Sequence, residues 1–436
     1  MRHGRIATRT VGFIRHAPAA WARWWPVVLL GWATIGAYGS AHYSFGVLIG
    51  PIHHETGWST GALSAAYSLG TLIAGLGAAV AGQALDRFGS RPVLLGSLLA
   101  GSASLLAAAA AGSVPLFVVG WGLGGGIIGA GMFYHVTMAV TTRLYPIGRP
   151  QAFARLTFIG GLASPIYFPV TALLVELWGW RDAIRVLVVL LILTTLPAAL
   201  CVRGAAAMGP ERADGTAAAS AVGAGSGGPA SDPASEYTSV RQALGSREVV
   251  QMVVMFALAM MAFVALQVHH IPAMQATGLS LATASTLGAV RGLLSLPGRA
   301  FLSPLVGRFG LPGAISVAYL SMLLGVVALL AAGHISLVIV FAVVTGLAFG
   351  TLVPLHGLYA AEVFGERRIG TLMGAQTAVV SVAAAAGPLI LGLSVDLTEG
   401  YTVALGLVVI LFALATALLV TRPRRRGVSA GESVVE

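Results

Sequence analysis

The chain has 436 residues, of which 57% are hydrophobic and only 9% are charged. Since a soluble domain carries about 25% charged residues, this composition excludes an ordinary soluble protein. Apolar stretches of about 20 residues, enough to cross the ~30 Å hydrocarbon core of a bilayer, recur along the chain. The sequence therefore predicts an all-α membrane protein in contact with the lipid bilayer.

The basic residues are all arginines, and the formal net charge is +10. They stand in short segments beside apolar runs, where basic residues orient helices, so the charge does not indicate a nucleic-acid partner. The single cysteine, Cys201, leaves neither a disulfide framework nor a cysteine-based metal site. We predict no metal and no cofactor.

Apolar length and breaker residues divide the chain into twelve predicted transmembrane helices, here called spans one to twelve. They cover residues 26–49, 59–82, 92–112, 115–140, 154–177, 183–203, 248–270, 281–305, 312–332, 336–361, 369–394 and 401–421. Residues 1–25 and 422–436 are the predicted N-terminal and C-terminal tails.

The arginines mark one side of these spans. All of them lie on that side except Arg181, Arg185, Arg291 and Arg299. Because Lys and Arg accumulate in cytoplasmic loops, both termini are predicted to be cytoplasmic in a multi-pass protein of the cell membrane, such as the inner membrane.

Residues 204–246 interrupt the apolar pattern. They are rich in Gly, Ala, Ser and Pro and have no hydrophobic period, which is typical of a flexible linker. We predict a cytoplasmic linker that separates two six-helix bundles, residues 26–203 and 247–421.

The two halves repeat in sequence. When Arg87-Phe88-Gly89 is laid over Arg308-Phe309-Gly310, other residues coincide in one register without gaps, among them Pro51 with Pro272, Ser59 with Ser280, and His135 with His356. Each half has an even number of spans, so the copies have the same orientation in the membrane. This is the parallel repeat of two-bundle secondary transporters.

The loop after span two reads GQALDRFGSR, residues 82–91. It resembles the G-x-L-x-D-R-x-G-x-R signature of the major facilitator superfamily, with the leucine displaced by one place. The second copy has Gly307 where Asp86 stands. The resemblance implies the major facilitator fold and a gating role for Gly82, Asp86, Arg87, Gly89, Arg91 and Arg308. A loop that merely orients the helices would explain these arginines but not Asp86.

Span eight carries two arginines at predicted membrane depth, Arg291 and Arg299, and no Asp or Glu stands between Glu248 and Glu362. An intramembrane charge is costly and marks a functional site. A guanidinium binds a carboxylate through paired hydrogen bonds, so both residues are candidate ligands for a small organic anion. Alternatively, each holds backbone carbonyl groups.

Span eight also resembles the monocarboxylate transporters and the bacterial oxalate/formate antiporters, in which an arginine at the position of Arg299 binds the substrate carboxylate. The YSFGVLIGPI of span one and the following Gly57-Trp58-Ser59 add to this resemblance. Ser295 and Tyr43 replace an Asp and a Lys of that group, so the resemblance does not carry over the coupling mechanism.

Three histidines in predicted spans are candidates for proton coupling, because an imidazole titrates near physiological pH: His42, His135 and His356. The alternative is a neutral imidazole bonded to a neighbouring helix. Further candidate cavity residues are Tyr43, Tyr134, Tyr167, Gln267, Tyr359 and Gln376. The paired histidines His53, His54, His269 and His270 are predicted to lie at the membrane interface.

These features predict a secondary transporter, not an enzyme. It would work by alternating access, as a monomer, on a small monocarboxylate or related organic anion with a proton or counter-anion. The alternative is proton-driven efflux of drugs or other amphipathic solutes, which an acidic residue in span one or four would favour; neither span has one. A membrane sensor or scaffold would need a further folded domain.

Overall fold

A computed structural model describes residues 17–202, 242, 245–364 and 369–422. These residues form helices joined by short turns, without a strand in the described part of the chain. Residues 1–16, 423–436 and nearly all of the predicted linker lie outside the described residues.

The first half contains six spans. Span one comprises Ala17–Tyr38, a π-helical turn Gly39–Tyr43 and Ser44–Thr56; span two is Thr60–Phe88; span three is Ser90–Ala109; span four is Val114–Met132 followed by Tyr134–Leu144. Spans five and six comprise Arg149–Gly161 and Ala163–Cys201, and the non-helical residue Gly179 (φ 75°) divides one span from the other.

The second half contains the other six spans. Span seven is Arg247–Gln275, span eight Leu281–Ala300, span nine Leu302–Leu330 with a bend at Gly310, span ten Ile335–Phe364, span eleven Ile369–Thr398 and span twelve Tyr401–Val420.

By length and composition, nine helical stretches of the described chain could cross a membrane, and one of them, residues 149–201, holds spans five and six. Span one, which contains the π-helical turn, and span eight, which contains the two arginines, are helices as well. The twelve predicted spans are therefore confirmed as helices. Several continue past their predicted ends: span one begins at Ala17 and span seven reaches Gln275.

The sequence repeat has the same backbone geometry in both halves. Gly57 and Gly278, which follow spans one and seven, both have positive φ (69° and 93°). Ser59 and Ser280 both accept a hydrogen bond at the N-terminus of the next helix. Only Gly adopts such positive φ without strain, so the chain reverses in the same way in each copy.

Each half packs around its own aromatic core. Phe45, Phe117 and Trp121 are buried in the first bundle, and Phe256, Tyr319 and Phe412 in the second. Within a bilayer such burial stabilises each bundle through close packing of side chains and not through removal from water. We call the face that carries Ala17, Cys201, Arg247 and Val420 the terminal face, and the other the opposite face.

Candidate functional site

Arg291 is buried in the second bundle, with only 2% of the residue exposed. Its Nε donates to the Thr345 hydroxyl of span ten at 3.0 Å, and its Nη1 donates to Oε1 of Gln267 on span seven at 3.1 Å. Its guanidinium lies 5.1 Å from the centre of the Phe349 ring. These contacts fix the charge in the middle of span eight.

The contacts of Arg291 do not include a counter-ion. Its Nη2 has no hydrogen-bond partner among the described residues, and none of the ion pairs in the described chain involves Arg291. Since a buried charge is normally paired and fully hydrogen-bonded, the two N–H groups of Nη2 are unused donors for an anionic partner.

Small residues of span ten allow it to approach the helix that carries Arg291. A Cβ at Gly346 would lie 2.6 Å from the backbone oxygen of Arg291, and one at Gly350 would lie 2.0 Å from that of Ser295. Spans eight and ten therefore pack backbone to backbone at the charged residue and one turn beyond it. The register places Thr345 and Phe349 against the guanidinium.

Arg299 lies two helical turns closer to the terminal face and is half-buried. Its Nη1 donates to the backbone oxygen of Thr157 on span five at 3.4 Å. This bond crosses the contact between the two bundles, which we call the seam. It also interacts with Tyr134, and Tyr43 lies close enough to interact with both arginines. In this conformation Arg299 holds a backbone carbonyl, which is the alternative that the sequence left open.

An aromatic cluster on span one faces these arginines. Tyr38, His42 and Tyr43 occupy the π-helical turn and its start, and all three are half-buried. The Tyr38 ring stacks on Phe133 at 3.9 Å, and the His42 imidazole is hydrogen-bonded to the hydroxyl of Tyr67. Single π-turns frequently mark functional sites, so this turn belongs to the candidate site.

The repeat-related histidines have different surroundings. His135 is half-buried, and its Nε2 lies 2.7 Å from the backbone oxygen of Ala130. His356 is buried inside the second bundle, where its ring stacks on Phe256 at 3.9 Å and its Nε2 is 2.7 Å from the Tyr319 hydroxyl. The structure thus does not bring His356 together with Arg291.

The other predicted site residues are scattered. Tyr359 is buried and packs edge-on against Phe256, beside His356. Gln376 is half-buried on span eleven, and its Oε1 has no partner among the described residues. Gln267, which the sequence singled out only weakly, is a direct ligand of Arg291.

The prediction that His269 and His270 lie at the membrane interface is wrong, because both are completely buried. His270 contacts the backbone of its own helix, with Nδ1 3.0 Å from the Gln267 oxygen. His269 contacts Ser64, Pro388 and Tyr401. Span seven continues beyond the histidines to Gln275, so they are not at the helix end. His53 and His54 are exposed, as expected.

The predicted gating motif forms its bonds within the first bundle. Asp86 pairs with Arg143 at the end of span four, and Nη1 of Arg143 donates to the backbone oxygen of Leu85 at 3.1 Å. Gly89 has a positive φ of 81°. Arg87 and Arg308 each lie over the adjacent phenylalanine ring, and Arg91 is exposed. A latch between the bundles stays a prediction.

Several pairs of spans join the bundles in the described part of the chain. Spans five and eight meet where Gly292 lies against Ser164, and spans two and eleven meet where Gly75 lies against Ser381. Spans one and seven approach closely near the opposite face: a Cβ at Gly46 would lie 2.7 Å from the backbone oxygen of Val268. The half-buried cluster of span one lies on the terminal side of that contact.

Beyond the Gly46 contact, a cavity of about 1130 Å³ opens at the opposite face. We call it the vestibule. Both bundles contribute to its wall, which includes His53, Glu55, Trp180, Gln275, Asp396 and Glu399. Asp396 is not among the site residues predicted from the sequence, because span eleven was predicted to end at residue 394, whereas the helix continues to Thr398.

The family profile described as "Major Facilitator Superfamily" matches the chain over residues 30–337 and 251–434. The fold is similar to a nucleoside transporter crystallised as a point mutant (TM-score 0.73, 11% identity, 91% of this chain and 98% of that one). It is also similar to a D-xylose–proton symporter (TM-score 0.67, 16% identity, 92% and 98%). No curated protein matches the sequence.

Proposed function

The chain belongs to the major facilitator superfamily, and on that basis we propose that this membrane transporter carries a small monocarboxylate or a related organic anion. Its fold is shared with nucleoside and sugar transporters, but likeness of fold does not set the cargo. The cargo is set by side chains in the cavity.

The observation that carries this proposal is the incomplete coordination of Arg291. The buried guanidinium donates one hydrogen bond from Nε and one from Nη1, whereas Nη2 has no partner among the described residues. A neutral sugar would leave the charge uncompensated, and a cationic drug would be repelled. A carboxylate supplies both the missing acceptor and the missing negative charge.

Arg299 and Tyr43 extend the proposed site toward the terminal face. Tyr43 lies within electrostatic range of both arginines, so we place it beside the proposed path of the anion from Arg299 to Arg291. Arg299 is bonded to the seam between the bundles through Thr157. An anion that replaces this carbonyl would therefore loosen the contact between spans five and eight, which couples binding to the rocking of the bundles.

We further propose that the terminal face is cytoplasmic, as the distribution of arginines predicts, and that the vestibule opens to the outside. The described conformation is then one in which spans one and seven separate the vestibule from the arginines. Transport by alternating access would involve opening of this contact, with a proton or a counter-anion completing the cycle. The protein is proposed to act as a monomer.

The test is uptake of labelled lactate, pyruvate, oxalate and formate into proteoliposomes under an imposed pH gradient. We expect one or more of these acids to accumulate, and Arg291→Gln and Arg299→Gln to reduce uptake. Arg185→Gln is the matched control, because Arg185 is exposed and pairs with Asp182 near the opposite face. If the acids are not transported and cationic dyes are, efflux of amphipathic solutes replaces the proposed function.

A further inference from the structure

The carboxylate of Asp396 joins the two bundles at the opposite face. Its Oδ1 accepts a hydrogen bond from the backbone N–H of Thr60, and its Oδ2 accepts one from that of Gly61, both at 2.8 Å. Thr60 and Gly61 begin span two, where backbone N–H groups lack partners within the helix and the helix dipole is positive. A side chain of the second bundle thus caps a helix of the first.

His269 stabilises the same seam from the interior. Its Nε2 lies 3.0 Å from the backbone oxygen of Pro388 and 3.2 Å from the hydroxyl of Ser64, and its Nδ1 lies 3.4 Å from the hydroxyl of Tyr401. Ser64 donates its own proton to the Thr60 oxygen. The hydrogen-bond pattern therefore assigns the proton to Nε2 and leaves Nδ1 as an acceptor for Tyr401.

Asp396 is accessible to water, although it bonds across the seam. The residue is exposed and lines the vestibule. The titratable groups around it are His269 of span seven, Tyr401 of span twelve, Glu399 of the following turn, and His53, His54 and Glu55 on the facing wall, of which Glu55 pairs with Arg181. No basic side chain forms an ion pair with Asp396 in the described part of the chain.

We infer that Asp396 is a proton-binding site of the transport cycle and that its protonation opens the vestibule toward Arg291 and Arg299. The inference rests on the proposed function in that a proton is the coupled ion. A proton taken from vestibule water removes the negative charge and turns one carboxylate oxygen into a donor. That oxygen is then a much poorer acceptor for the backbone N–H it faces, so at least one of the two bonds across the seam is weakened.

This step links the proton to an anionic cargo. With Asp396 and Glu399 ionised, the vestibule repels an approaching anion while the seam is closed. Protonation of Asp396 neutralises one of these charges and weakens the seam in the same step. His269 is a positioning residue in this scheme, because its bonds to Ser64 and Pro388 keep spans two and eleven in register beneath Asp396.

The test measures the seam directly, without cargo. Spin labels at His54→Cys and Ala276→Cys, which line the vestibule from opposite bundles, are introduced in a Cys201→Ser background that has no other cysteine. Distances between the labels are recorded in liposomes at neutral pH and at about pH 4, the range in which carboxyl groups take up protons. We expect acid to increase the population with the longer distance by about tenfold or more.

Three variants identify Asp396 as the cause. Asp396→Asn should give the longer distance at both pH values, whereas Glu399→Gln, the neighbouring vestibule acid, should keep the response to acid. Thr60→Pro removes one N–H donor and leaves the carboxylate in place. Proline is compatible with the first helical position, and the extended Ser59 before it (ψ 149°) suits a following proline. This variant should favour the longer distance already at neutral pH.

The inference is overturned if the labelled parent does not respond to acid, if Asp396→Asn responds as the parent does, or if Glu399→Gln abolishes the response. Failure of the parent to transport any organic acid would overturn the proposed function instead, since these distances are measured without cargo. If acids are transported, Asp396→Asn should lose accumulation driven by the pH gradient and retain exchange of internal for external cargo.

Discussion

The Oε1 atom of Gln267 accepts a hydrogen bond from Nη1 of Arg291 at 3.1 Å, between spans seven and eight. The bond is buried on both sides, with 3% of Gln267 and 2% of Arg291 exposed. It aims the guanidinium and leaves Nη2 without a partner among the described residues. Gln267 therefore sets the direction in which the unbonded Nη2 of Arg291 points.

Replacing Gln267 with Leu should destabilise the protein, because Nη1 then also lacks an acceptor. An unpaired buried donor costs about 1–3 kcal/mol, which thermal unfolding in detergent would detect. A transported acid should restore part of the loss by supplying an acceptor, so it should raise the Tm of the variant more than that of the parent. Gln376→Leu is the control, since Gln376 is half-buried and its Oε1 has no partner to lose among the described residues.

Replacing Gly46 with Ala should weaken the contact between spans one and seven. The new Cβ would lie 2.7 Å from the backbone oxygen of Val268, which cannot move as an isolated side chain could. We expect the spin-label pair at residues 54 and 276 to show the longer distance in this variant. Gly406→Ala on span twelve, where a Cβ meets nothing within 4 Å, should leave the distance unchanged. An unchanged distance in Gly46→Ala would show that this contact does not hold the seam.

Replacing His356 with Gln should reduce stability and leave the pH dependence of transport in place. The imidazole stacks on Phe256 and bonds to Tyr319 inside the second bundle, and the loss of a buried hydrogen bond costs about 0.5–1.5 kcal/mol. The measurement is Tm together with uptake as a function of external pH. Loss of the pH dependence with an unchanged Tm would instead identify His356 as the proton carrier.

Asp86→Asn and Arg143→Gln should each slow transport and hardly change stability. Their ion pair joins spans two and four at the terminal face, and 73% of the Asp86 side chain is exposed. An exposed pair contributes at most about 1 kcal/mol. If the pair acts as one unit in gating, the double variant should be no slower than either single variant. If the double variant instead lowers the initial uptake rate by the product of the two single effects, Asp86 and Arg143 do not act as one unit.

The fold could be predicted from the sequence because the residues that end and begin its helices act locally. Gly57 and Gly278 reverse the chain through positive φ, and Ser59 and Ser280 cap the helices that follow. Such signals act within a few residues, so they remain visible in a chain dominated by Ala, Leu and Gly. Helix ends were less accurate, since span one and span seven continue beyond the apolar segments.

The site was less predictable, because sequence position in a repeat does not fix the surroundings of a side chain. His135 and His356 are equivalent in register, yet one contacts the Ala130 backbone and the other stacks on Phe256. Partners from distant spans decide such differences, and apolar periodicity does not report them. Arg291 was identifiable because an unpaired charge in an apolar helix is costly wherever it points.

Asp396 shows the opposite case. Its carboxylate is inconspicuous in the sequence, as an acid near a helix end, and its role depends on span two, which lies more than three hundred positions earlier. Only the packing of spans two and eleven brings the Asp396 carboxylate to the N-terminus of span two. Predicting it would require knowing which helices line the seam.

Equilibrium binding of labelled lactate, pyruvate, oxalate and formate to the purified protein tests the central claim, that Arg291 binds an anionic cargo. We expect saturable binding of at least one acid to the parent and to Arg185→Gln, and an affinity for Arg291→Gln that is lower by about 30-fold or more, the range for truncating a buried charged partner. Equal affinities of the parent and Arg291→Gln would contradict the claim.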